Sequence, residues 1–385
     1  MKTTHVSGQA AATALFTLPA DLLYLNCAAH GPPLRAVRDA ASAALQDSSG
    51  SWLGTHWREQ VERARAAAAG LFENDVEAIA FVPSAAYGLS VAARNMPLRP
   101  GQAVLVLEDQ FPSNVLPWQQ RCSEVGARLV VARCGDGQDW TDAILLALEA
   151  DSDIQVLALP QVHWRDGAML DLDRIATMAQ ARQAHLVLDL SQSLGVLPVR
   201  LDVWKPDFIV AVGYKWLLGG YGLAWLWAAP QWRESGHALE QGWMAYDQAA
   251  LWQPGHTAKV EALPGARRYD AGGVCDAIRL SMAEAGLAQV QAWGVPTIAA
   301  QLQLRTQALA LALDQRGIGG LRRPGHAPHI CGLRPPAQRL HAVATALQNA
   351  GIVVTVGPEC LRVAPHLHVG IGEMARVAET ISSVL

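Results

Sequence analysis

The chain has little of what marks several protein classes. Its 385 residues include six cysteines, Cys27, Cys122, Cys134, Cys275, Cys331 and Cys360, and no two form a CxxC pair. Thiols scattered in this way along a long chain read as reduced residues of a cytosolic protein, not as a disulfide framework. No apolar run approaches the roughly 18–20 residues that a membrane span needs. The stretch Met1–Pro19 has only a weak apolar segment, Ala10–Leu18, behind a single Lys2, and a strand-like segment follows at once. It is expected to belong to the folded protein rather than to a signal peptide. Charged residues make up only 17% of the chain, and the formal net charge is −4. With no basic run and twelve scattered histidines, a partner of the nucleic-acid kind is not expected. Internal repeats, heptads and low-complexity tracts are absent as well.

What is present is apolar material. A hydrophobic content of 51% can fill a substantial core, in one large domain or two closely associated ones, and extended disorder is excluded. Short β-rich runs at Ile79–Val82, Ala103–Glu108, Arg128–Arg133, Val156–Pro160, His185–Leu190, Phe208–Val212 and Leu223–Trp227 alternate with Ala-rich helical stretches such as His56–Phe72 and Leu172–Gln183. Several runs are apolar on both faces, as buried parallel strands are. The alternation predicts an α/β sheet with helices on both sides and ligands at the carboxyl ends of its strands. From about Val274 helices dominate through Gln315. A helix near Ala337–Ala350 and strands at Ile352–Val356 and Leu361–Val363 follow. The expected division is a large domain over 26–273 and a smaller α+β domain over 274–385, with residues 1–25 packing on the latter. Most of the thirteen tryptophans are packing residues, but Trp118, Trp164, Trp216 and Trp243 stand beside motifs.

Three motifs carry chemistry. The strand from Phe208 ends in Gly213-Tyr214-Lys215, with Gly219-Gly220-Tyr221-Gly222 close behind. A lysine just past a buried strand is partly desolvated, which lowers its pKa and frees an amine for imine formation; the plainer alternative is a solvated strand-end lysine. The strand from His185 ends in Asp189, within Asp189-Leu-Ser-Gln192. A carboxylate there can hold a ring nitrogen protonated, as pyridoxal phosphate (PLP) requires, or can simply cap a helix. Finally, Phe81-Val-Pro-Ser-Ala-Ala-Tyr-Gly88 passes from strand to helix through small residues, whose N–H groups suit a phosphate. The order of turn, aspartate and lysine weighs more than any one of them.

In these motifs the sequence resembles the class V aminotransferase family of fold-type I PLP enzymes, from Leu23-Tyr-Leu-Asn-Cys-Ala-Ala-His-Gly-Pro32 to Leu361-Arg-Val-Ala-Pro-His-Leu-His368. It looks closest to kynureninase-like members and less like cysteine desulfurases. The resemblance implies a large domain built on a mixed, mostly parallel seven-stranded sheet. It also implies roles: Lys215 joined to PLP, Asp189 on the pyridinium nitrogen, Gln192 on the phenolic oxygen and Phe111 stacked on the ring. Ser84, Ala85, Ala86 and Tyr214 would hold the phosphate. Trp243 and Gly273 would reach it across a homodimer interface with shared active sites. Arg362 would clamp the carboxylate of a small amino-acid substrate, with Asn26, Ala29 and His30 at the pocket mouth and Trp164 against the substrate. No metal is implied, and His326-Ala-Pro-His329-Ile-Cys331 reads as a loop before a strand.

The chain departs from the desulfurase pattern. Cys360 lies against the Arg362 strand with no room for a mobile cysteine loop, so a persulfide-forming reaction is disfavoured. Trp164 in Val162-His163-Trp164-Arg165-Asp166-Gly167 stands where desulfurases carry asparagine, and His163 reads equally as a strand-end residue with a satisfied ring. The expected activity is a lyase of amino-acid metabolism, with kynureninase-like or C–S lyase-like side-chain cleavage. Transamination or epimerisation of an α-amino acid is the alternative, and a catalytically idle PLP-binding protein is the remote one.

Overall fold

The computed structural model describes residues 12–47, 56–135, 138–247, 251, 260–322 and 325–385. The first part of the chain contains β1 (Leu23–Tyr24), α1 (Arg35–Gln46), α2 (Trp57–Ala69), β2 (Ile79–Val82), α3 (Ala85–Asn95), β3 (Ala103–Leu107), α4 (Leu116–Val125), β4 (Arg128–Ala132), α5 (Trp140–Ala150), β5 (Ile154–Pro160), α6 (Leu172–Ala181), β6 (His185–Asp189), α7 (Leu201–Trp204), β7 (Phe208–Val212), β8 (Ala224–Ala228) and α8 (Pro230–Ser235). Strands β2 to β8 are the seven runs expected from the sequence. They form one sheet in the order β2-β8-β7-β6-β5-β3-β4. Only β8 runs against its neighbours β2 and β7, and every other pair is parallel.

Alternation along each strand splits the core in two. Phe81, Leu105, Leu157, Leu188, Ile209 and Trp225 face one layer of helices. Val82, Val104, Val156, Val187, Val210 and Leu226 face the other. Continuous apolar runs are therefore what this sheet requires. The edge strand β4 is the exception: Arg128 is exposed and Val131 is 39% exposed.

Beyond the sheet come α9 (Ala277–Trp293), α10 (Val295–Gln315), β9 (Cys331–Leu333), α11 (Ala337–Asn349), β10 (Ile352–Val353), β11 (Thr355–Val356), β12 (Leu361–Val363) and α12 (Glu373–Ser382). Gly294, at φ +78°, separates α9 from α10. The run Ile352–Val356, expected as one strand, is two. β10 pairs in parallel with β1, while β11 turns to the antiparallel sheet β11-β12-β9. The switch of partners between Val353 and Thr355 gives this short piece of chain two neighbours at once. Of the 1–25 segment, residues 1–11 lie outside the described residues; further along it, Leu23 pairs with Ile352 and Phe16 packs with Trp216, Ile298 and Leu367.

Candidate active site

The carboxyl ends of β5, β6 and β7 converge on one cleft of about 860 Å³, counted to its open mouth. Pro160 lies opposite Asp189, the last residue of β6, which in turn lies opposite Val210 of β7. Lys215 follows β7 by three residues. Its turn is closed by Gly219 N–H donating to the Gly213 carbonyl at 2.9 Å, and Leu218 and Gly222 take left-handed backbone at φ +58° and +87°. The segment after β1 folds over this turn. Gly31 N–H donates to the Tyr214 carbonyl at 2.8 Å, and a Cβ at Gly31 would overlap the Lys215 carbonyl, so only glycine fits. On the opposite wall Ser84 caps α3, its Oγ accepting from Tyr87 N–H at 3.1 Å. The first N–H groups of that helix have no carbonyl within it to bond.

Lys215 is 7% exposed and Asp189 8%. Among the described residues no hydrogen bond or ion pair holds the Lys215 amine; its Nζ lies 5.5 Å from the centre of the Phe111 ring and 5.9 Å from that of Tyr214. Burial pulls its pKa down to about 8, against the pull of Asp189 upward, and Arg362 lowers it further. Burial raises the Asp189 carboxyl, and hydrogen bonds from Ser191 and the nearby Lys215 oppose the rise. Arg362 is buried beside them. Its Nη1 donates to the Trp164 carbonyl and its Nη2 to Thr355 Oγ1 at 3.0 Å, while Nε has no partner among the described residues. Burial lowers its pKa to about 10, so it stays charged at neutral pH.

The cleft brings together Ser84, Ala85, Phe111, Trp164, Asp189, Gln192, Tyr214 and Lys215 of the residues expected from the sequence. Phe111 meets Trp164 edge to face at 5.4 Å. Arg362 joins through Trp164, its guanidinium carbon 5.9 Å from the centre of that ring. Other expected residues lie off the cleft wall. Ala86 faces a separate surface hollow with Arg94 and Leu116. Asn26 accepts from Thr355 Oγ1 at 2.5 Å and so reaches Arg362 through that hydroxyl. Ala29 and His30 are exposed, with the His30 ring 5.6 Å from Tyr214. Trp243 is 48% exposed and packs on Trp57 at 5.6 Å, and Gly273 has open space where a side chain would stand, at φ +73°. His163 is buried, with Nδ1 3.2 Å from Asp166 and its ring stacked on Trp140.

Several cleft residues carried no signal in the sequence. Gln110 and Tyr221 line it because turns place them there. Behind the cleft wall, Thr355 bonds to Asn26, 329 positions away, and His329 to Gln192, 137 positions away.

The residues present fit PLP. A buried amine without a partner suits its aldehyde. A buried carboxylate suits a protonated ring nitrogen, which would offset the burial that raises Asp189. The capped start of α3 suits its phosphate, and the Phe111 ring offers an aromatic surface beside the amine. The Arg362 guanidinium keeps an unpaired Nε donor for a carboxylate.

Comparison with known proteins agrees. The family model for class V aminotransferases matches residues 23–381. An uncharacterized aminotransferase, YcbU, of Bacillus subtilis is 25% identical over 365 residues, 90% of this chain and 91% of that protein. A kynureninase of Deinococcus radiodurans is 28% identical over 67% of this chain and 63% of its own length. Among solved structures, the cystine C–S lyase C-DES in complex with cysteine persulfide superposes with a TM-score of 0.83 at 18% identity, over 95% of this chain and 98% of that one. The chain thus belongs to the class V aminotransferase family and is a PLP-dependent enzyme.

Proposed function

We propose that the protein cleaves the side chain of an α-amino acid, in the manner of a kynureninase-like or C–S lyase-like enzyme. The observation that carries this reading is the aromatic wall between the two charged groups: Phe111 beside Lys215, Trp164 beside Arg362, and the two rings edge to face at 5.4 Å. An amino acid with its carboxylate on Arg362 and its α-carbon near Lys215 would lay its side chain along Trp164 and Phe111. Bound PLP supplies an electron sink for negative charge at the α-carbon. Lys215, neutral above about pH 8, takes and returns the α-proton. Asp189 holds a proton at the ring nitrogen. Arg362 fixes the carboxylate with two parallel N–H groups. Cys360, the thiol beside the Arg362 strand, speaks against a persulfide route: it is buried, donates to the Arg165 carbonyl at 3.4 Å and is pushed up in pKa by burial.

Trp243 and Gly273, set outside the chain's own cleft, support a homodimer in which each copy completes the other's phosphate site. Thiols scattered without a CxxC pair suit the reducing cytoplasm, and among the described residues no helix is long and apolar enough to cross a membrane. The same reading divides the chain into a PLP-binding domain over 26–273 and a smaller one over 274–385. The test is incubation of the PLP-loaded protein with L-amino acids, kynurenine and cysteine derivatives included, with mass spectrometry of products. The expected result is a cleaved side chain with PLP retained. A keto acid with its full carbon skeleton, together with pyridoxamine phosphate, would establish transamination instead.

A further inference from the structure

The side chain of Gln192 is held from two sides. Its Oε1 accepts from the Trp216 indole N–H at 3.0 Å, and its Nε2 donates to the Ala28 carbonyl at 2.9 Å. An indole N–H can only donate and a backbone carbonyl can only accept, so both partners require the same orientation of the amide. The backbone is held too: His329 Nε2 lies 2.5 Å from the Gln192 carbonyl, so that nitrogen carries the proton of a neutral ring. Burial, which lowers the His329 pKa to about 4, keeps it so at neutral pH. The His329 ring stands edge-on to Trp216 at 4.5 Å. Trp216 and His329 are 1% and 0% exposed, so these bonds have no competition from water.

We propose that Trp216 is a positioning residue that, with the Ala28 carbonyl, fixes Gln192 so that the second N–H of its amide is offered to the cleft. The inference rests on the reading of the cleft as the PLP site. It specifies what Gln192 presents there: a donor, matched to a ligand oxygen that accepts, such as an ionised phenolic oxygen. Without the indole N–H, only the Ala28 carbonyl still holds the amide, and the donor is fixed less firmly. Trp216 follows Lys215 directly in sequence, so one turn of chain sets both the amine and, through Gln192, the donor.

The test compares Trp216→Phe, which keeps an aromatic ring but has no N–H, in the unaltered chain and in a Gln192→Ala background. PLP affinity and the pH midpoint of the bound cofactor's visible absorption are read by titration. Trp216→Phe alone is expected to weaken PLP binding about fivefold to tenfold and to raise the midpoint by about half a unit, the scale of one hydrogen bond. In the Gln192→Ala background it is expected to change either reading by less than about twofold, because the two residues act as one unit. Equal losses in both backgrounds would mean that Trp216 acts through packing, and overturn the proposal. If Trp216→Phe does not fold, Gln192→Glu gives the answer. Its second oxygen faces the Ala28 carbonyl, so PLP affinity at pH 8 is expected to fall more than tenfold; unchanged affinity overturns the proposal. Failure of the unaltered protein to bind PLP would overturn the cofactor reading itself. Binding that the variants leave intact would overturn only the role of Trp216.

Discussion

Lys215 is one of four lysines in the chain, with Lys2, Lys205 and Lys259. Its pKa of about 8 makes a prediction of definite sign. The amine reacts only when neutral, so in the PLP-free protein the rate of PLP capture should rise with pH and level off above about 8. A lysine of ordinary pKa would keep gaining to beyond pH 10. Rapid-mixing absorbance between pH 6 and 10 distinguishes the two. Lys215→Ala should abolish both turnover and the visible band; turnover that persists unchanged would show another group doing its work. Arg362 offers a second residue-level prediction. Lysine keeps the charge but not the planar pair of donors, so Arg362→Lys should raise KM about 10- to 100-fold with a smaller change in kcat, measured by steady-state kinetics.

At the scale of elements, one buried ion pair ties three pieces of chain together. Arg65 of α2 meets Asp270 through Nη1 and Nη2, at 3.2 and 2.7 Å, and the same carboxylate accepts from Phe81 N–H of β2 at 2.9 Å. Arg65 lies over the Phe81 ring at 4.6 Å. The pair aligns the helix, the first strand of the sheet and the turn leading to Gly273. Arg65→Ala would leave Asp270 buried and unpaired, so a loss of about 3–5 kcal/mol is expected in urea unfolding. A loss below about 1 kcal/mol would show that water reaches the carboxylate.

At the scale of the whole molecule, residues far apart in sequence meet behind the cleft. His329, His366 and His368 are buried among Phe16, Trp216 and the half-buried Trp293. His368 Nε2 bonds to the Tyr24 carbonyl at 2.8 Å, and among the described residues both ring nitrogens of His366 lack partners. Burial lowers all three pKa values, to about 4 for His329 and His368, and the neighbouring Arg305 charge lowers His366 and His368 further. In the unfolded chain a histidine takes up its proton near pH 6.5. The contribution of these rings is thus fully present above about 6.5 and is lost as pH falls from there toward 4. The slope is up to about 1.4 kcal/mol per pH unit for each ring. Urea midpoints between pH 7.5 and 4.5 should show this fall, and His366→Leu should flatten it. A parallel decline in the variant would place the acid sensitivity elsewhere.

The sequence by itself determined the sheet and the main groups on its edge. Strands buried on both faces must be continuously apolar, so all but the edge strand β4 could be read on that ground, and Asp189 and Lys215 stand where such strands end. The shape of the cleft was settled by contacts between distant segments. Thr355 reaches Asn26, 329 positions away, Gly31 lies on the Lys215 turn, and His329 bonds to Gln192, 137 positions away. None of these has a local pattern, because a single hydrogen bond or close approach imposes no periodicity on the residues around it. The split of Ile352–Val356 between two partners had the same cause: each strand pairing depends on what the rest of the fold places beside it, and only the tertiary structure decides that.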